Sequence, residues 1–223
     1  GPNGAGKSTL FALITGEVSP DKGRVTVRKG ARLGMVRQIL APQSDGQTLI
    51  AYAEAAVPEL AEMEREMHTL DHRLHQGGEG DPEPLLRRLG DLQTRFEHMG
   101  GYVMRSRAEA ALGGLGFAPE AFEQPFATFS GGWQMRAELA RVLVAEPEIL
   151  LLDEPSNYLD IPAVEWLQKS LREFKGTLVL ISHDRYLLNS LTEATIEIFG
   201  GRATRYAGAY DAYARERVKR RET

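Results

Sequence analysis

Gly1-Pro2-Asn3-Gly4-Ala5-Gly6-Lys7-Ser8 satisfies the pattern G-x-x-x-x-G-K-[ST]. Small residues at these positions let backbone N–H groups turn inward around phosphate oxygens. Lys7 adds a point charge at the β- and γ-phosphates, the Ser8 hydroxyl can ligate Mg²⁺, and Thr9 sits beside it at the helix start. Far along the chain, Ile149-Leu-Leu-Leu-Asp-Glu154 is an apolar run ending in two carboxylates. Alternation along a strand sends them in different directions, so they can do separate work. Asp153 suits a hold on Mg²⁺, and Glu154 suits the water that attacks a terminal phosphate. His183, in Ile181-Ser-His-Asp-Arg185, follows a second apolar run and can bond the γ-phosphate or orient Glu154. Gln38 ends a strand-like stretch, where it can sense the metal and the water.

A second phosphate-binding pattern appears at Ser130-Gly-Gly-Trp-Gln134. Ser130 is a natural N-cap, and Gly131 and Gly132 allow close approach of an anion to the positive end of a helix. One domain has no use for two such surfaces on one nucleotide, so this one is expected to serve a partner's ATP.

Elements must place these residues. Leu10, Leu13 and Ile14 recur at helical spacing before Gly16, and alternation around Val25/Val27 and Leu33/Met35 about Lys29-Gly30 predicts a β-hairpin. The runs Ile149–Leu152 and Leu178–Ile181 read as buried parallel strands, and Thr195–Phe199 pairs with a strand beyond Gly200-Gly201. Helix alternating with buried strand is an α/β pattern. Leu60, Met63, Met67, Leu70 and Leu74, then Leu85, Leu89, Leu92, Phe96 and Met99, follow heptad spacing on either side of the Gly/Pro-rich stretch 77–84. This predicts an antiparallel coiled-coil hairpin. From Arg105 the chain is helical again, and Tyr210 to Thr223 begins a basic helix carrying Arg215, Arg217, Lys219, Arg220 and Arg221. A phosphate loop normally follows a buried strand. Because the loop begins at Gly1, that strand and whatever precedes it are expected to be missing.

The 223 residues carry a net charge of -4 and no cysteine. Disulfides and thiolate metal sites are excluded, and a reducing cytoplasm is the expected location. No apolar run approaches the roughly 20 residues of a membrane span, and no signal peptide is visible. Any contact with nucleic acid must come from a local patch.

In order, these motifs resemble an ABC ATPase: Walker A at 1–8, Q-loop at Gln38, signature at 130–134, Walker B at 149–154, D-loop through Asp160 and switch histidine His183. Phe129 and Trp133 replace the ends of the usual LSGGQ. The chain is similar to the first cassette of the ABC-F subfamily, the soluble class that works on ribosomes. Trp133, the segment Asp153-Glu-Pro-Ser-Asn-Tyr-Leu-Asp160 (close to D-E-P-T-N-H-L-D), the heptad arm and Tyr206-Ala-Gly-Ala-Tyr210 carry that likeness.

The resemblance implies a P-loop ABC-type nucleotide-binding domain with an inserted coiled-coil arm and N-terminal strands missing. Core would lie at 1–52, arm at 53–100, signature region and remaining core at 101–203, and the start of a charged linker at 204–223. It implies MgATP hydrolysis, with Glu154, His183 and Gln38 catalytic and Ser8, Gln38 and Asp153 around Mg²⁺. Ser130, Gly131 and Gly132 would act in trans, with Asp160 in the D-loop. The partners would be a second cassette and the ribosome with its rRNA and tRNA, the Arg215–Arg221 cluster being the RNA candidate. The alternative is a soluble ATP-binding subunit of an ABC transporter. His68, His72 and His75 share one arm face at a spacing zinc can use, but a solvated face is the better reading.

Overall fold

The two apolar runs become adjacent strands of one sheet. In the computed structural model, which describes residues 6–37, 46–76 and 81–221, β1 (Leu33–Val36), β2 (Ile149–Asp153) and β3 (Thr177–Ile181) pair in that order, all parallel. Leu150, Leu151 and Leu152 in the middle strand are 0% exposed. Cover on both faces is why the run is continuous, with no alternation.

The described residues form two compact units, one within Gly1–Pro42, Gly114–Gly116 and Glu146–Thr223, the other within Gln43–Gly113 and Phe117–Ala145. The first holds the sheet, α1 (Lys7–Thr15), α7 (Ile161–Glu173), α8 (Arg185–Leu191), the antiparallel pair β4 (Ala194–Phe199) and β5 (Arg202–Ala207), and α9 (Tyr210–Arg221). Phe11, Leu167 and Leu187 join the β2 leucines in its core.

One expectation fails here. The turn at Lys29-Gly30 forms, with the Ala31 N–H bonded to the Arg28 carbonyl at 3.0 Å, but residues 24–28 form no strand. β1 gives its ladder to β2, and Val25 and Val27 lie exposed. Alternation identified β1 but not its partner.

The second unit contains α2 (Leu49–Glu54), α3 (Pro58–His75), α4 (Glu83–His98), most of α5 (Gly101–Gly114) and α6 (Gly131–Val144). Thr48 caps α2 by accepting the Ala51 N–H at 3.3 Å. In α3 and α4 the heptad positions are the covered ones. Leu60, Met63, Leu70, Leu92 and Phe96 are buried, Met67, Leu74, Leu85 and Leu89 half-buried, and the intervening acids and bases mostly exposed. Each buried seam residue is worth about 1.5–3 kcal/mol, which outweighs the weak intrinsic stability of a lone helix. Arg88 adds a two-pronged bond to Glu66 at 2.7 and 3.0 Å. α5 starts at Gly101, four residues before the expected Arg105.

Tyr52 of α2 stacks on Phe126, with ring centroids 4.0 Å apart, and its hydroxyl donates to Glu138 of α6. Arg141 closes the group with a 3.1 Å bond to Glu138 and its guanidinium over the Tyr52 ring. Burial, reinforced by Glu138, pushes the Tyr52 hydroxyl well above its ordinary pKa, so it stays a donor. This group fixes the flank of the helix that opens at the signature.

Candidate nucleotide site

Gly6 enters α1 with φ 96, a left-handed turn that suits glycine, and serves as its N-cap without a side-chain bond. No acidic residue lies in the first turn of α1. Its positive end carries Lys7, Ser8 and Thr9. Ser8 and Thr9 are exposed. The expected ligands Gly1 to Ala5, and Gln38, lie outside the described residues.

Asp153 is the last residue of β2, and Lys7 is close enough to act on it electrostatically. Burial lifts the Asp153 carboxyl above its ordinary value, and the Lys7 ammonium draws it partly back. Such a group gains from a further cation. Ser8 and Asp153 therefore have the donor chemistry for Mg²⁺, which prefers oxygen ligands and keeps several waters.

Glu154 leaves the strand in the left-handed region, φ 52, where a residue with a side chain is strained. Three contacts hold it there. Its N–H donates to the Ile181 carbonyl at 2.8 Å, its Oε2 accepts the His183 N–H at 3.1 Å, and its Oε1 lies 3.4 Å from His183 Nε2. Glu154 is 7% exposed and the His183 side chain 72%. The two acids are thus separated by a backbone kink in addition to strand alternation, and the histidine bridges to the buried one. Ser182 accepts the Asp184 N–H at 3.0 Å, and Asp184 caps α8 through the Leu187 N–H at 3.1 Å, which fixes the segment carrying His183. Lys7, Asp153, Glu154 and His183 all lie in the first unit. Asp160 caps α7 through the Ala163 N–H at 3.1 Å.

Ser130, Gly131 and Gly132 lie in the second unit. Ser130 occupies the N-cap of α6, but its side chain makes no cap bond. A Cβ at Gly131 would meet open space, so packing within the chain does not require glycine there. Trp133 is held by the edge of Phe117 at 4.8 Å and by the Arg136 guanidinium at 4.4 Å. Among the described residues no cluster of histidine, cysteine and acid could hold a metal, so the His68, His72 and His75 face carries no zinc site there.

Sequence reasoning missed Glu197, which gathers Tyr206, Tyr213 and Arg217 around one carboxylate. The available signal was an acid amid the apolar residues of β4 ahead of regularly spaced tyrosines. Arg217, read as an RNA contact, points at Glu197 with a 2.9 Å bond.

A parallel sheet with a phosphate-loop helix, and an acid pair and histidine at its carboxyl edge, defines an ABC-type ATP-binding domain. The family profile described as "ABC transporter" matches residues 1–157, and the chain belongs to that family. It is 37% identical over 220 residues to the "Probable ATP-binding protein YheS" of Escherichia coli (strain K12), covering 99% of this chain and 33% of that protein. It is 38% identical over 229 residues to the "Tylosin resistance ATP-binding protein TlrC" of Streptomyces fradiae, covering 100% of this chain and 41% of that one. The chain thus spans about a third to two fifths of these relatives. A solved "ATP binding subunit of ABC transporter" superposes with TM-score 0.68 at 17% identity, over 97% of this chain and 79% of that one, which shows the shared fold. Among the described residues no helix is long and apolar enough to cross a membrane.

Proposed function

We propose that the chain is one cassette of an ABC-F-type ATPase that hydrolyses MgATP at an interface shared with a second cassette and acts on the ribosome. The observation that carries the ABC-F reading is the α3–α4 hairpin. It lies between β1 and the signature, is sealed by its own seam and presents charged outer faces. Trp133, the 153–160 segment and the Tyr206–Tyr210 motif support it, as does likeness to much longer ATP-binding proteins. A cassette within a longer polypeptide also accounts for a cavity of about 860 Å³ lined by Leu10, Phe11, Leu178, Leu180, Ile196 and Ile198. An additional strand there would cover the half-exposed β3, whose apolar sequence suits burial on both faces.

In this reading Lys7 and the start of α1 bind the phosphates. Ser8, with Asp153 behind it, would hold Mg²⁺, which would supply positive charge against the nucleotide phosphates. Glu154 orients the attacking water and takes its proton as oxygen bonds to Pγ and the Pγ–O bond to ADP breaks. His183 holds the Glu154 carboxylate in place and lies beside the incoming phosphate. Ser130 and the N–H groups at Gly131 and Gly132 are offered to the second cassette's nucleotide.

The test is co-sedimentation with ribosomes of a polypeptide joining this cassette to a second one, trapped with ATP by Glu154→Gln. Replacing residues 58–100 by a short loop should weaken sedimentation and spare nucleotide affinity. Unchanged sedimentation after arm removal would displace the ribosomal reading in favour of a transporter subunit.

A further inference from the structure

The hairpin β4–β5 and the helix α9 meet around one carboxylate, and α8 packs against the first turn of α9. Glu197 Oε1 accepts the Tyr213 hydroxyl at 2.8 Å and the Arg217 Nε–H at 2.9 Å, while Oε2 accepts the Tyr206 hydroxyl at 3.2 Å. Tyr206 and Tyr213 meet edge to face at 5.0 Å, and both are buried. Burial, then Glu197, pushes the Tyr213 hydroxyl up to about 12, which keeps it protonated and donating. At the first turn of α9, Asn189 of α8 accepts the Asp211 N–H at 2.9 Å, and the Arg185 guanidinium lies 5.3 Å from the Tyr210 ring centre. α8 begins two residues after His183, the residue bonded to Glu154.

We propose that Glu197 is the anchor that docks α9 onto the nucleotide-binding unit, and that α8 makes the docked helix respond to occupancy of the ATP site. The coupling half rests on the nucleotide-site reading above; the docking half does not.

α8 is only seven residues long, and its two ends are tied to different things. Its start is set by the turn that carries His183. Its Arg185 and Asn189 are engaged by the first turn of α9. A shift of the His183 turn when a γ-phosphate arrives cannot be absorbed within so short a helix, because its hydrogen-bonded turns are stiff. The shift passes to α9 as long as Glu197 keeps α9 seated. Without the anchor, α9 loses the bonds that tie Tyr213 and Arg217 to β4. Arg217 thus serves the chain's own fold. Glu197, Asn189 and Arg185 are positioning residues in this scheme, since none touches the nucleotide.

Hydrogen exchange on the full 223-residue chain tests this, with and without MgATP, in the native sequence and in Glu197→Ala, Arg217→Ala and Asn189→Ala. Amides of α9 should exchange roughly tenfold faster in Glu197→Ala and by a smaller factor in Arg217→Ala, while β2 and β3 amides stay unchanged and report an intact fold. In Asn189→Ala the gain should be confined to the first turn of α9. MgATP should alter exchange in α1, α8 and α9 of the native chain, but stop at α8 in Glu197→Ala. Equal α9 exchange in native and Arg217→Ala chains overturns the anchor, even if Glu197→Ala proves too damaged to read. A MgATP response in α1 and α8 with none in native α9 overturns the coupling. No response in α1 counts against the nucleotide-site reading and leaves the anchor comparison standing.

Discussion

Glu154→Gln removes one charge from a nearly buried position while keeping shape, so it separates chemistry from binding. The carboxylate currently accepts the His183 N–H at 3.1 Å and faces His183 Nε2 at 3.4 Å. A glutamine oxygen can keep the first contact, and its NH₂ can donate to Nε2 in the neutral tautomer. The left-handed backbone at this position strains glutamine as it does glutamate, so fold stability should shift by no more than about 1 kcal/mol. What is lost is the group proposed to orient the water and receive its proton. That loss should slow hydrolysis by roughly 10²–10⁴, about 2.7–5.5 kcal/mol on the barrier. The assay is phosphate release by a polypeptide joining this cassette to a second one, the substitution made in both, alongside nucleotide affinity by titration. Affinity should stay within a few-fold. Loss of binding with Glu154→Gln, or near-normal turnover, would refute the assignment and move the base role to another group.

Asp153→Asn should raise stability, because burial makes the ionised acid unfavourable in the folded state despite Lys7. A carboxyl with a raised folded pKa loses stability as pH climbs from its unfolded value through its folded one. The gap between variant and native urea midpoints should therefore widen across that window; a gap that does not change with pH contradicts this. The same variant should weaken the Mg²⁺-dependent part of ATP binding, seen by titrating with and without the metal. Gly114→Ala should cost about 1–3 kcal/mol in urea unfolding, since its Cβ would overlap the Trp166 ring; an unchanged midpoint would disprove that contact. Leu92→Ala, at a seam position 4% exposed, should cost about 2–5 kcal/mol, read as faster exchange in α3 and α4 with ATP affinity unaltered.

The site was legible where composition and position coincide. Lys7, Asp153, Glu154 and His183 stand beside strand ends or a helix start that their neighbours announce, and the parallel pairing of β1, β2 and β3 brings those ends together. The arm was legible because heptad spacing is the physical cause of its seam. Other features depend on partners distant in sequence. Nothing near Val25 reveals that β1 will pair with Ile149–Leu152, leaving 24–28 without a ladder. Nothing near Arg217 reveals Glu197, and the kink at Glu154 follows from its bonds to Ile181 and His183. Charge counting read Arg217 as available, whereas tertiary geometry gives it a partner.

The proposed nucleotide site needs a second cassette to turn over. Its most direct test is steady-state phosphate release by the 223-residue chain alone and joined to a second cassette, each with and without Lys7→Ala. Release should be negligible alone and Lys7-dependent when joined. Release by the chain alone at the joined rate, abolished by Lys7→Ala, would contradict it.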